Sequence, residues 1–152
     1  MGTVIEEIRE KLAKYPQARI EHDTSSITWY PTDPEGFLVR LTVECRSGGE
    51  RYAVYYNGSR EDFTHRGAAV QAFGFGLSTG CRLREYLRAG RAVRWIVEAW
   101  SPRRQRWEAD WDFVRVLRAL AFSWRRLTVR HLQNRIIDLD DEKAVENGEP
   151  TD

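Results

Sequence analysis

Ala92-Val93-Arg94-Trp95-Ile96-Val97-Glu98-Ala99-Trp100, then Ser101-Pro102-Arg103-Arg104-Gln105, then Arg106-Trp107-Glu108-Ala109-Asp110-Trp111-Asp112-Phe113: this run carries the clearest β signal in the chain. β-Branched and aromatic residues fill both arms, and the five residues between them hold a proline and polar side chains suited to a turn. In the second arm Trp107, Ala109, Trp111 and Phe113 alternate with Arg106, Glu108, Asp110 and Asp112, so a period of two predicts one apolar and one charged face. The expectation is an antiparallel hairpin whose tip, Arg103, Arg104 and Arg106, is strongly basic and flanked by Trp100 and Trp107.

Downstream of the hairpin, the period changes. Val114, Leu117, Ala121, Trp124, Leu127, Thr128, Leu132 and Ile136 recur mostly at steps of three and four, which predicts a long amphipathic helix from 114 to 136. Arg115, Arg118, Arg125, Arg126, Arg130 and Arg135 occupy its other faces. From residue 138 the chain is acidic and free of aromatics, and it is expected to be a disordered tail. Residues 1–137 then form one domain.

Upstream, Val4, Ile5, Ile8 and Leu12 lie at helical spacing after Thr3, with Glu6 placed to complete a capping box and Pro16 to end the helix. The β-type residues Ile27 and Trp29 before Pro31, then Phe37 to Glu44 and Tyr52 to Tyr56, read as a three-stranded meander turned at Ser47-Gly48-Gly49-Glu50. A second helix is expected from Ser59 onward, carrying Phe63, Val70, Phe73 and Leu77, and weakened by glycines at 67, 74 and 76. Arg82 to Leu87 reads as a further short helix ending near Gly90. The expected fold is therefore α+β: an antiparallel sheet of about five strands, in the order helix, three strands, helix, two strands, helix, with the helices packed on one face. In element order alone, with no motif, this resembles the small secretion chaperones of bacterial type III systems.

Composition narrows the class of protein. With 152 residues, 41% hydrophobic and 31% charged, the chain suits a single globular domain. No apolar run is long enough to span a bilayer, and the first fifteen residues lack a secretory core, so a cytoplasmic protein without membrane partners is expected. Cys45 and Cys81 show no CxxC spacing and read as reduced, buried thiols. The near-zero net charge conceals an uneven distribution. Residues 1–59 carry −2, residues 60–135 carry +9 and residues 136–152 carry −6, and all sixteen basic residues of the middle segment are arginine.

Chemistry-bearing constellations are sparse. His22, His65 and His131 are scattered, and no HExxH or paired-histidine spacing occurs, so no metal site and no catalytic residue is assigned and no cofactor is expected. Glu108, Asp110 and Asp112 read as a solvated sheet face balanced by Arg94 and Arg106. The glycine-rich run from Phe73 to Gly80 matches no phosphate loop; Phe73, Phe75 and Leu77 are the candidate lining of a small apolar pocket. The leading expectation is a non-enzymatic interaction module that binds an acidic protein partner or forms a homodimer. Its contact residues would be Trp100, Arg103, Arg104, Arg106, Trp107, Arg115, Arg118, Arg125, Arg126 and Arg130, since Trp and Arg are the enriched anchors of interfaces. Nucleic-acid binding through the same Arg/Trp surface is the alternative, and small-ligand binding the third.

Overall fold

The computed structural model describes residues 2–114 and 127–138, and for residues 111–114 the backbone alone. Helix α1 (Val4–Leu12) forms where its capping box predicts. Glu6 N donates to Thr3 Oγ1 at 3.2 Å, and Thr3 N donates back to Glu6 Oε2 at 2.6 Å. These two bonds satisfy donors that a helix start leaves unpaired. Val4, Ile5, Ile8 and Leu12 are all buried.

Five strands follow the helix: β1 (Arg19–His22), β2 (Ser26–Tyr30), β3 (Val39–Arg46), β4 (Gly49–Tyr56) and β5 (Ser59–Phe63). They form one antiparallel meander in chain order. Asn57, at φ 50°, and Gly58 make the tight turn between β4 and β5, a position that favours Asn and Gly because φ is positive. Ser59 does not begin a helix. Its hydroxyl donates to Tyr56 O at 2.9 Å within the turn, and α2 (Arg66–Gly76) starts only after β5 is complete. Helix α2 packs on β3 and β4, and Gly76 lets it approach closely: a Cβ there would lie 2.5 Å from the Tyr56 ring and 3.1 Å from Val39.

The second half is also a sheet. Strands β6 (Cys81–Arg88), β7 (Arg91–Ser101), β8 (Arg106–Val114) and β9 (Leu127–Leu132) are antiparallel, in the order β8-β7-β6-β9. The segment Arg82 to Leu87 is thus a strand rather than a short helix: Cys81, Leu83 and Glu85 are buried, and Arg82, Arg84 and Tyr86 alternate with them. The helix expected over 114–136 is not observed where the chain is described. Residues 127–132 pair with β6 as β9, and residues 133–138 are neither helix nor strand apart from a parallel bridge between Ile137 and Ser78; the portion from 115 to 126 lies outside the described residues.

These findings correct the expected fold class. The chain is mostly strand, built from two antiparallel sheets of five and four strands, with two helices among the described residues. The helix and strand order behind the likeness to secretion chaperones is accordingly not present. Among the described residues no helix is long and apolar enough to cross a membrane. Cys81 is buried, but Cys45 is exposed at the end of β3, contrary to the expectation that both are interior; both are free thiols.

The core lies between the sheets and under the helices, centred on Trp29, Phe37, Val39, Leu41, Tyr56, Leu77, Leu83 and Val97. Trp95 of β7 lies against Gly58, where a Cβ would fall 2.4 Å from the indole ring. The same indole donates to Glu85 Oε2 at 2.7 Å, and the buried Glu85 also receives Arg130 of β9 at 2.5 Å. A second tie is the segment after β9. Asn134, buried, accepts from Phe37 N at 2.8 Å and donates to Gly76 O at 2.9 Å, so one amide links β9, the entry to β3 and the end of α2.

Candidate interaction surface on the four-stranded sheet

Cross-strand pairing sorts the second sheet into two faces. Cys81, Leu83, Trp95, Val97 and Leu132 belong to the core between the sheets. The opposite, outer face carries Arg82, Arg84 and Tyr86 from β6, with Arg94, Ile96, Glu98 and Trp100 of β7 opposite or in line with them. Strand β9 adds Leu127, Val129 and His131, which pair with Arg88, Tyr86 and Arg84. A bulge completes the arrangement. Trp107 pairs with Trp100 and Ala109 with Glu98, yet Trp111 pairs with Val97, which leaves Asp110 without a ladder partner. The extra residue shifts the backbone register of β8 against β7 by one between Ala109 and Trp111, so the period of two read over 107–113 is interrupted.

At the end of this face nearest the β7–β8 turn, Trp100 and Trp107 meet edge to face with centroids 5.5 Å apart. Trp100 is 38% exposed. The Arg82 guanidinium lies over the Trp107 ring, 4.6 Å from its centroid, a cation–π contact that fixes the arginine flat against the indole. Arg82 Nε also donates to Glu98 Oε2 at 2.7 Å, and Arg84 donates to Glu98 Oε1. Glu98 is fully buried, so its two arginines supply the pairing that a buried carboxylate requires.

Beyond the tryptophans, the turn exposes Arg103, Arg104 and Arg106. Arg104 and Arg106 share Glu108, at 2.9 and 3.2 Å, whereas Arg103 has no carboxylate in reach among the described residues. Next to Trp107 and Arg82 opens a cleft of about 540 Å³, whose other walls are the β2–β3 loop at Asp33 and Glu35 and the segment from Gln133 to Ile136. His131 lines it. Burial first, and the neighbouring Arg82 charge second, hold this imidazole below its ordinary range, so it stays neutral at physiological pH.

The structure brings together Trp100, Trp107, Arg103, Arg104 and Arg106 as one end of the sheet. Arg130 sits on β9 but is committed to Glu85. Arg115, Arg118, Arg125 and Arg126 lie outside the described residues. Phe73 and Leu77 are buried in the core and, together with the half-buried Phe75, line a separate cleft between the helices. Sequence reasoning missed Arg82, Arg84, Glu98 and His131 as neighbours of the tryptophans. Their signal was the alternation Cys81-Arg82-Leu83-Arg84-Glu85, which has the period of a strand.

Among the described residues, no group of three His, Cys, Asp or Glu side chains could hold a metal ion, and no histidine bonds to a hydroxyl or thiol that it could activate. Burial pushes the Cys81 thiol far up, away from the reactive thiolate. No family model, curated protein or solved structure matches this chain. The geometry alone must carry the functional reading.

Proposed function

We propose that the protein is an interaction module that binds an acidic protein partner through the Trp100–Trp107 end of its four-stranded sheet. The observation that carries this reading is the exposed indole of Trp100 braced against Trp107, itself clamped by Arg82 and bordered by Arg103, which has no carboxylate partner among the described residues. Rigid aromatic anchors beside arginine are what protein interfaces concentrate at their energetic centre. The cleft beside Trp107 offers room for a partner side chain.

The same details weigh against nucleic acid as the ligand. A polyanion site draws its affinity from several free cations, yet Arg104 and Arg106 are committed to Glu108, and Arg82 and Arg84 to Glu98. One face of Trp107 is taken by Arg82, so it is closed to a stacked base.

The test is capture from lysate with wild type and with Trp100→Ala and Arg103→Glu, each with and without nuclease. A protein band that survives nuclease and is lost with both variants, while their circular dichroism stays native, fits the proposal. Capture unchanged by both substitutions removes this surface from consideration, and loss on nuclease treatment shifts the reading to nucleic acid.

A further inference from the structure

Of the three glycines in α2, Gly67 in the first turn faces open space, and Gly74 and Gly76, near the end of the helix, have opposite surroundings. Gly76 is in contact with Tyr56 and Val39, so its missing side chain is explained by packing. Gly74 is different: its φ is not positive, and a Cβ at this position would meet nothing within 4 Å. A glycine inside a helix weakens it relative to alanine, and neither close packing nor backbone conformation accounts for this one. What its absent side chain does is keep open a cleft of about 480 Å³ between α1 and α2, a size typical of small-ligand sites, which span roughly 300–1,000 Å³.

The walls of this cleft are chemically sorted. Val70, Phe75 and Ile137 form its apolar wall above the buried Ile8, Leu12 and Phe73, Gln71 adds a polar side chain, and Lys11 and Lys14 stand at it from α1 and the residues just after. Lys11 is held by Glu7 at 3.2 Å and is well exposed; Lys14 is exposed with no carboxylate partner among the described residues. An apolar trough with ammonium groups at its edge complements a molecule with an aliphatic body and an anionic head. We infer that the α1–α2 cleft binds a free single-chain carboxylate amphiphile, its chain lying along Gly74 and its carboxylate on Lys11 and Lys14. The site is separate from the sheet surface and does not depend on its role.

The probe is dodecanoate, titrated calorimetrically below its micellar concentration. Saturable one-to-one binding is expected, tightening about fourfold per added methylene from octanoate upward, the factor that corresponds to ~0.8 kcal/mol per buried CH₂. Gly74→Leu fills the open space with a better helix former, so binding should fall at least tenfold while the melting temperature holds or rises. Lys14→Glu should weaken binding several-fold at low salt, and dodecyltrimethylammonium, with the same chain and opposite charge, should not compete. Equal affinity in wild type and Gly74→Leu would overturn the assignment, as would equal binding of the cationic amphiphile. Absence of saturable dodecanoate binding overturns it as well, including where the protein instead associates with anionic vesicles. Should Gly74→Leu fail to fold, Gly74→Ala, which narrows the same space, must show weaker binding of the longer chains for the proposal to stand.

Discussion

Glu61 is the residue whose environment suits it least. One carboxylate oxygen is buried without a hydrogen-bond partner among the described residues, and β5 and β8 bring the Asp110 carboxylate near it. Burial first, and that like charge second, raise its pKa above 4.5. The folded state therefore holds this proton more tightly than the unfolded chain, and the contribution of Glu61 to stability falls as pH rises through the interval between the two pKa values. Glu61→Gln removes the charge, so it should raise the urea midpoint at pH 7, and the gain should fade toward about pH 4, where the glutamate is protonated in both states. A midpoint unchanged at pH 7 would show that water or side-chain motion already relieves the charge. None of this was visible in the sequence, because Asp110 meets Glu61 only through a bulge that adds one residue to β8.

Between elements, the junction of the two sheets depends on a residue without a side chain. Trp95 rests on Gly58, and a Cβ on residue 58 would fall 2.4 Å from the indole, which leaves no room for alanine. Gly58→Ala should displace Trp95 and disturb its bond to Glu85, costing about 1–3 kcal/mol as overpacking does, with a changed near-ultraviolet dichroism of tryptophan. An unaltered spectrum and midpoint would mean that the turn, and not the indole, gives way. How much of this level could be read beforehand varied with the strength of local signals. Helix α1 was legible because a capping box and a four-residue apolar face point to one answer, and the Ala92–Phe113 hairpin because β-branched and aromatic residues bracket a turn. The strand β6 was not legible: Arg82 to Leu87 is short, and its arginines satisfy either period until Leu83 and Glu85 find partners in β7 and β9. Leu127 to Leu132 failed for a related reason. Its residues continue a helical spacing, and only long-range pairing with β6, some forty residues earlier, makes it a strand. The placement of Trp100 and Trp107 on the two arms of the hairpin was readable from sequence, whereas the Arg82–Glu98–Arg84 group beside them needed the sheet to assemble it.

For the molecule as a whole, the distribution of apolar surface singles out one side. Trp100, Leu127 and Val129 are the exposed large hydrophobic residues among those described, and strand alternation puts all three on the outer face of the four-stranded sheet. Trp100 lies beside Gly80 and Val129 opposite Tyr86, six positions apart along the β6 direction, which separates them by about 20 Å. A standard protein interface, burying roughly 800 Å² per partner, is wide enough to include both. If the partner covers the entire face, Trp100→Ala and Val129→Ser should each weaken binding, and because sites this far apart act independently, their effects should add within about 0.5 kcal/mol in the double variant. Titration of the captured partner against the three variants measures this directly. An effect from Trp100 with none from Val129 would confine the contact to the hairpin end and its adjoining cleft, leaving the exposed β9 edge outside the interface. An effect smaller than additive would instead mean that the two corners communicate through the sheet, which the tie from the exposed Arg130 of β9 to the buried Glu85 of β6 gives a physical route to do.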